Sequence, residues 1–262
     1  MDYDREVAPT VFGLALSGGV LRGAAHVGVL KVLDREGLRP DCIAGSSAGA
    51  IVGALYAAGL PPDEIHRQVR DFRWTSLARP TWKLWSNLLD LEPLIRRLRH
   101  LGLADFRDLR LRFAAVACDL ISGRSVTLDS GDVAEAVRAS IAVPALFPPV
   151  ERDGCQLVDG GIVNDLPADV VRAMGATYVA GVDALPLGQV ACRSNHLIEV
   201  LFRSRYLSIK ANHPPPEAFD CLIVPEIEEC SLLDFAELDL LVRRGEEAAE
   251  RVVGQLHGDL GR

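Results

Sequence analysis

Short apolar runs alternate along the chain with longer stretches whose apolar positions recur every three to four residues. The runs are VFGLAL (11–16), CIAG (42–45), RFAAVACD (112–119), QLVD (156–159), TYVAGVD (177–183) and CLIVPE (221–226). They lack strict polar alternation, which predicts strands covered on both faces, as in a parallel sheet. Between them the 3.6-residue period predicts helices over about 23–36, 48–58 and 167–174, followed by Gly37, Gly59 and Gly175 as stops. A last helix opens at DFAE, where Asp234 and Glu237 have capping-box spacing. The alternation predicts a three-layer α/β/α fold around a central, mostly parallel sheet. Residues 60–111 interrupt it as a helical insertion between the second and third strands, at an end of the sheet where loops shape sites. HPPP at 213–216 is too short for a linker, so 1–262 is expected to form one domain.

The stretch IAGSSAGAIVGALYAAGL (43–60) has no charged side chain and is about as long as the shortest membrane spans. Its four glycines, the serine pair near its start and the lack of a basic flank favour a turn followed by a helix. Composition narrows the class further. The apolar fraction of 49% is that of a globular protein, and a net charge of −8 argues against nucleic acid as a partner. MDYDREVAPT carries neither a basic nor an apolar leader segment, and the six cysteines form no C-x-x-C pair. The expectation is buried thiols in a cytoplasmic protein with no metal and no cofactor.

Three glycine turns carry candidate chemistry. GSSAG (45–49) fits G-x-S-x-G, with a strand entering and an apolar helix leaving, the setting of a nucleophile elbow centred on Ser47. Gly45 and Gly49 leave room for the tight turn, and the helix start beneath Ser47 favours an anion. LSGGVLRGAAH (16–26) places Gly18 and Gly19 at a strand end, where backbone N–H groups can gather round an oxyanion. It meets neither the dinucleotide G-x-G-x-x-G pattern nor the P-loop pattern. LVDGG (157–161) delivers Asp159 into a turn with Gly160 and Gly161. Asp159 could take the Ser47 proton directly, orient a histidine in a triad, or cap its own turn.

These motifs, with DLISGRSVTLDSG and VRASIAVPALFPPV in the same order, make the chain resemble the patatin-like phospholipases of the compact bacterial type over about 13–183. The resemblance implies a Ser47–Asp159 dyad without histidine, an oxyanion loop at Gly18 and Gly19, and Arg22 as its terminal basic residue. It also implies hydrolysis of acyl esters in glycerolipids through an acyl-enzyme. The chain departs from the family at Val20, where a further glycine is usual and a β-branched residue resists positive φ. Two other readings remain: an α/β-hydrolase esterase using one of His196, His213 or His257, and a lipid-surface regulatory module with a weak site. Within 66–100, eight basic residues stand against three acidic ones, and Trp74, Trp82 and Trp85 all fall there. That composition suits a lid or a peripheral membrane contact, or an insertion helix packed on the core.

Overall fold

The computed structural model describes residues 9–71, 79–80, 89–185, 197–232 and 234–262. The chain runs β1 (Phe12–Leu16), a 3₁₀ turn (Val20–Gly23), α1 (Ala24–Arg35), β2 (Cys42–Ser46), α2 (Ala48–Ala57) and α3 (Pro62–Arg70). The short β3 (Arg79–Pro80) and β4 (Leu89–Asp90), α4 (Glu92–His100), β5 (Arg112–Asp119), β6 (Ser125–Leu128) and α5 (Val133–Ser140) follow. Next come β7 (Val150–Arg152), β8 (Cys155–Asp159), α6 (Ala168–Ala173), β9 (Tyr178–Val182), α7 (Leu197–Ala211), β10 (Cys221–Ile223) and α8 (Leu238–Leu260).

The main sheet is ordered β10-β9-β1-β2-β5-β8-β7, with β6 also on β5. The five strands from β10 to β5 are parallel, while β6 and β8 run antiparallel to β5. Every residue of β1, β2 and β9 is buried, as two covered faces require. β1 shows how the layers differ. Phe12, Leu14 and Leu16 enter the larger core with α1, α2 and α8, whereas Ala15 joins the smaller core under α6. On that thinner face Gly13 lies against Val171, where a Cβ would collide.

The uncharged run at 43–60 divides into β2, a one-residue turn and α2, and among the described residues no helix is long and apolar enough to cross a membrane. The insertion supplies α3 and α4; Trp74, Trp82 and Trp85 lie outside the described residues. Two strands of the main sheet escaped the sequence pattern, β6 and β7, because they are short and partly exposed, as did the two-residue pair β3 and β4. The capping box does not form. Asp234 caps a 3₁₀ turn through Ala236 N, Glu237 accepts instead from Ser231 N, and α8 starts later at Leu238. Cys42, Cys118, Cys221 and Cys230 are buried free thiols and Cys155 is a half-buried one.

Candidate active site

The register on β5 brings the site together. β2 pairs with β5 up to Ser46 opposite Val116. β6 takes 115–118 of β5 on one edge, so β8, which pairs with 117–119, must use the edge that β2 has just left. β8 therefore ends, at Asp159 opposite Ala117, directly beyond the point where the chain turns away at Ser47. Ser47 Oγ donates to Asp159 Oδ2 at 2.7 Å, across 112 residues of sequence. Both side chains are buried.

Ser47 sits at φ 52°, ψ −119°, a conformation that side chains rarely adopt and that surrounding structure must hold. Its N–H donates to Ser140 Oγ at 3.0 Å, and that hydroxyl donates to Val116 O at 2.6 Å. The glycines answer a steric need. A Cβ on Gly45 would strike Gly49 O, and one on Gly49 would strike Leu16 O. Gly49 N also donates to Ser17 O at 3.1 Å, which ties the elbow to the end of β1.

Asp159 divides its two oxygens. Oδ2 receives the serine, while Oδ1 accepts from Gly161 N at 2.9 Å and from Arg205 Nη2 at 2.5 Å. Arg205 comes from α7 and was not singled out in the sequence, where nothing distinguishes it from its neighbours. A fully buried carboxylate needs such a countercharge.

In the glycine loop after β1, Gly19 has φ 148° and Val20 φ 53°, so the β-branched residue does take the left-handed conformation. Gly18 lies close to Ser47, but its N–H donates to Asp165 Oδ1 at 3.1 Å. The N–H groups of Gly19 and Val20 make no hydrogen bond among the described residues. Arg22 points away from the serine. Its guanidinium donates to Cys230 O at 2.7 Å and Glu228 O at 2.9 Å, fastening the loop to the segment before α8. Gly160 accounts for the turn after Asp159, since a Cβ there would strike Val116 O.

Asp165 is buried beside both loops. Burial first, then the nearby Asp183 and Asp159 carboxylates, pushes its pKa up to about 7. Among the described residues Oδ2 of Asp165 has no hydrogen-bond partner. Burial likewise raises Asp183, and His213, 3.5 Å away, opposes the rise. The described histidines have other partners: His26 donates to Ser17 O, His66 meets Asp239, and His100 and His257 meet the carbonyls of Arg96 and Arg262. Burial holds His26 at a pKa of about 4, so it is neutral. His196 lies outside the described residues. Among the described residues no cluster suited to a metal ion occurs.

Gly19, Val20, Ser47, Asp165, Arg205 and Tyr206 border a cavity of about 30 Å³. That is room for a water molecule but not for an acyl chain. None of its lining comes from the described part of the insertion; α7 covers it through Arg205, Tyr206 and Ile209. The described arginines of the insertion are paired elsewhere, Arg67 with Glu64, Arg96 with Glu92, and Arg99 with Asp132 and Glu135.

A sequence model described as patatin-like phospholipase matches residues 14–172, which span the elbow, the glycine loop and Asp159. The chain belongs to the patatin-like phospholipase family. It is 33% identical over 192 residues to a patatin-like phospholipase domain-containing protein, ZK370.4, of Caenorhabditis elegans, covering 68% of this chain and 14% of that one. It is 30% identical over 177 residues to Lysophospholipase NTE1 of Scheffersomyces stipitis, covering 65% and 11%. A Mycobacterium tuberculosis protein of the NTE family, Rv2565, is 30% identical over 286 residues, 98% of this chain and 49% of that one. The chain thus spans half or less of the length of these relatives. Among solved structures, VipD from Legionella pneumophila aligns with a TM-score of 0.63 at 14% identity, over 95% of this chain and 67% of that one. The type III effector ExoU aligns at 0.51 and 15% identity, over 95% and 53%. The fold is therefore the patatin-like α/β fold.

Proposed function

We propose that the protein hydrolyses acyl esters of glycerolipids with Ser47 as nucleophile and Asp159 as general base. The observation that carries this reading is the direct 2.7 Å hydrogen bond from the serine hydroxyl to a buried carboxylate whose other oxygen is anchored. Ser47 Oγ attacks the ester carbonyl carbon while its proton passes to Asp159 Oδ2. The carbonyl oxygen becomes an anion held by the N–H groups of Gly19 and Val20, two residues that border the same cavity and whose N–H groups are unpaired among the described residues. Gly18, bonded to Asp165, serves as the anchor that aims them. Collapse expels the alcohol, which takes the proton back from Asp159, and leaves an acyl-serine. A water then gives its proton to Asp159 and attacks the acyl carbon. The second collapse releases the fatty acid and returns the proton to Ser47. The lysophospholipase named among the relatives makes a phosphate-bearing monoacyl lipid the first substrate to try.

The test is covalent labelling with turnover. A fluorophosphonate is expected to add once to the protein, as read by intact mass, and not to Ser47→Ala. Asp159→Asn, nearly isosteric, is expected to keep the fold and lose at least about 10²-fold in turnover of a short-chain ester. A variant of His196 or His213 that abolishes turnover, with Asp159→Asn still active, would replace the dyad by a triad.

A further inference from the structure

Asp165 is a buried acid at the site that the Ser47–Asp159 chemistry leaves unused. It lies between Asp159 and α6 and is 2% exposed. Its Oδ1 accepts the Gly18 N–H at 3.1 Å. A Cβ built on Gly18 would lie 2.5 Å from that oxygen and 3.3 Å from Ser47 Cβ, so the carboxyl and the serine flank one glycine. Asp165 also borders the cavity of about 30 Å³ together with Ser47, Gly19 and Val20. An ester carbonyl under attack by Ser47 must enter that space.

The other oxygen sets the chemistry. Oδ2 is buried and has no hydrogen-bond partner among the described residues. An unpaired buried oxygen costs about 1–3 kcal/mol, and more when it is charged. A proton on Oδ2 removes the charge and turns that oxygen into a donor. The Gly18 N–H points at Oδ1, so the proton belongs on Oδ2. The charged neighbours agree. Asp183 after β9 and Asp159 at the end of β8 oppose a charge on Asp165 more than Arg205 of α7 favours it, and with burial they hold its pKa at about 7. Asp183 is itself raised by burial and faces His213.

We propose that Asp165, in its protonated form, is a third hydrogen-bond donor to the oxyanion: Oδ2–H donates to the ester carbonyl oxygen as that oxygen becomes an anion, beside the N–H groups of Gly19 and Val20. The Gly18 N–H is spent on Oδ1, and the carboxyl returns a donor in its place. The proton stays on Asp165 throughout, so the Ser47 proton still travels through Asp159. The inference rests on the acyl hydrolase reading. The site then works best while Asp165 is neutral, because ionisation removes the donor and sets a second negative charge beside the forming oxyanion.

The test is the pH profile of kcat/KM on a soluble short-chain ester for wild type, Asp165→Asn and Asp165→Leu, each held below its melting temperature. The wild-type value is expected to fall at least about tenfold between about pH 6 and about pH 9, as the donor is lost. Asp165→Asn keeps an oxygen for Gly18 and gains an NH₂ donor that does not ionise. Its value is expected to stay within about tenfold of the wild-type maximum and to show no such fall. Asp165→Leu, similar in size and without a donor, is expected to lose about 10²–10³-fold at about pH 6. A wild-type value that holds or rises above about pH 7 overturns the inference, since an ionised Asp165 would then leave the oxyanion undisturbed or strengthen Asp159 as a base. So does a folded Asp165→Asn that is inactive or keeps the alkaline fall, and so do equal values for Asp165→Leu and Asp165→Asn. If Asp165→Leu does not fold, wild type against Asp165→Asn still decides. A protein that no fluorophosphonate labels at Ser47 and that cleaves no ester loses the hydrolase reading and this inference together. Labelling at Ser47 with a flat wild-type profile removes this inference alone.

Discussion

At the scale of single residues, the site holds several groups in states that cost energy. Ser47 and Val20 are both left-handed without being glycine, each at a cost of about 1–2 kcal/mol. Asp165 is the group with a pH signature. Its pKa of about 7 in the folded protein lies above the ordinary carboxylate value of about 3.9, so the folded state holds the proton more tightly than the unfolded chain. Stability therefore falls as pH rises from about 4 to about 7 and levels off above that, where the buried carboxylate is charged. Asp165→Asn removes this loss and retains an oxygen for Gly18 N–H. The variant is expected to melt above wild type at pH values above about 7, with the difference closing towards pH 4 in thermal scans. A constant difference across that range would mean that the proton on Asp165 does not matter.

At the scale of elements, α7 connects packing to chemistry. Its Arg205 reaches Asp159 Oδ1 while Tyr206 and Ile209 close the cavity, so one helix fixes Asp159 and roofs Ser47. Arg205 acts through Asp159 and is a positioning residue. Arg205→Ala is expected to lower kcat between about tenfold and a hundredfold with a smaller change in KM, because the carboxylate loses its orientation rather than the site its substrate contacts. Added guanidinium is expected to restore part of the rate, and Arg205→Lys to retain more activity than Arg205→Ala. A role in stability alone would lower the melting temperature without rescue by guanidinium.

At the scale of the whole molecule, the family match ends at residue 172, yet the core does not. α8, the last helix, lies along α1 with backbone against backbone. A Cβ on Gly28 would strike Val242 O, and one on Gly245 would strike Ala25 O. α1 in turn follows the glycine loop directly, so the distant C-terminal helix supports the glycine-loop side of the site. Gly245→Ala is expected to cost about 3 kcal/mol by forcing the helices apart, measured as a lower urea midpoint at unchanged slope. A midpoint within error of wild type would show that the contact yields easily.

What the sequence determined by itself is what local rules govern. Buried parallel strands must be continuously apolar, and a tight strand-to-helix turn must be flanked by glycines, so β1, β2, β5, β9 and the elbow at Ser47 were legible. Asp159 was legible as a carboxylate at a strand end, although its partner was left open between the serine, a histidine and its own turn. The tertiary structure decided the rest, because burial pairs groups that no spacing rule connects. Arg205 meets Asp159 from 46 residues away, Asp165 takes the Gly18 N–H from 147 away, and Arg22 finds carbonyls more than 200 away. Each of these polar groups, once buried, had to take whichever partner the fold brought within reach, and that choice is made by the register of β8 on β5 and the placement of α7.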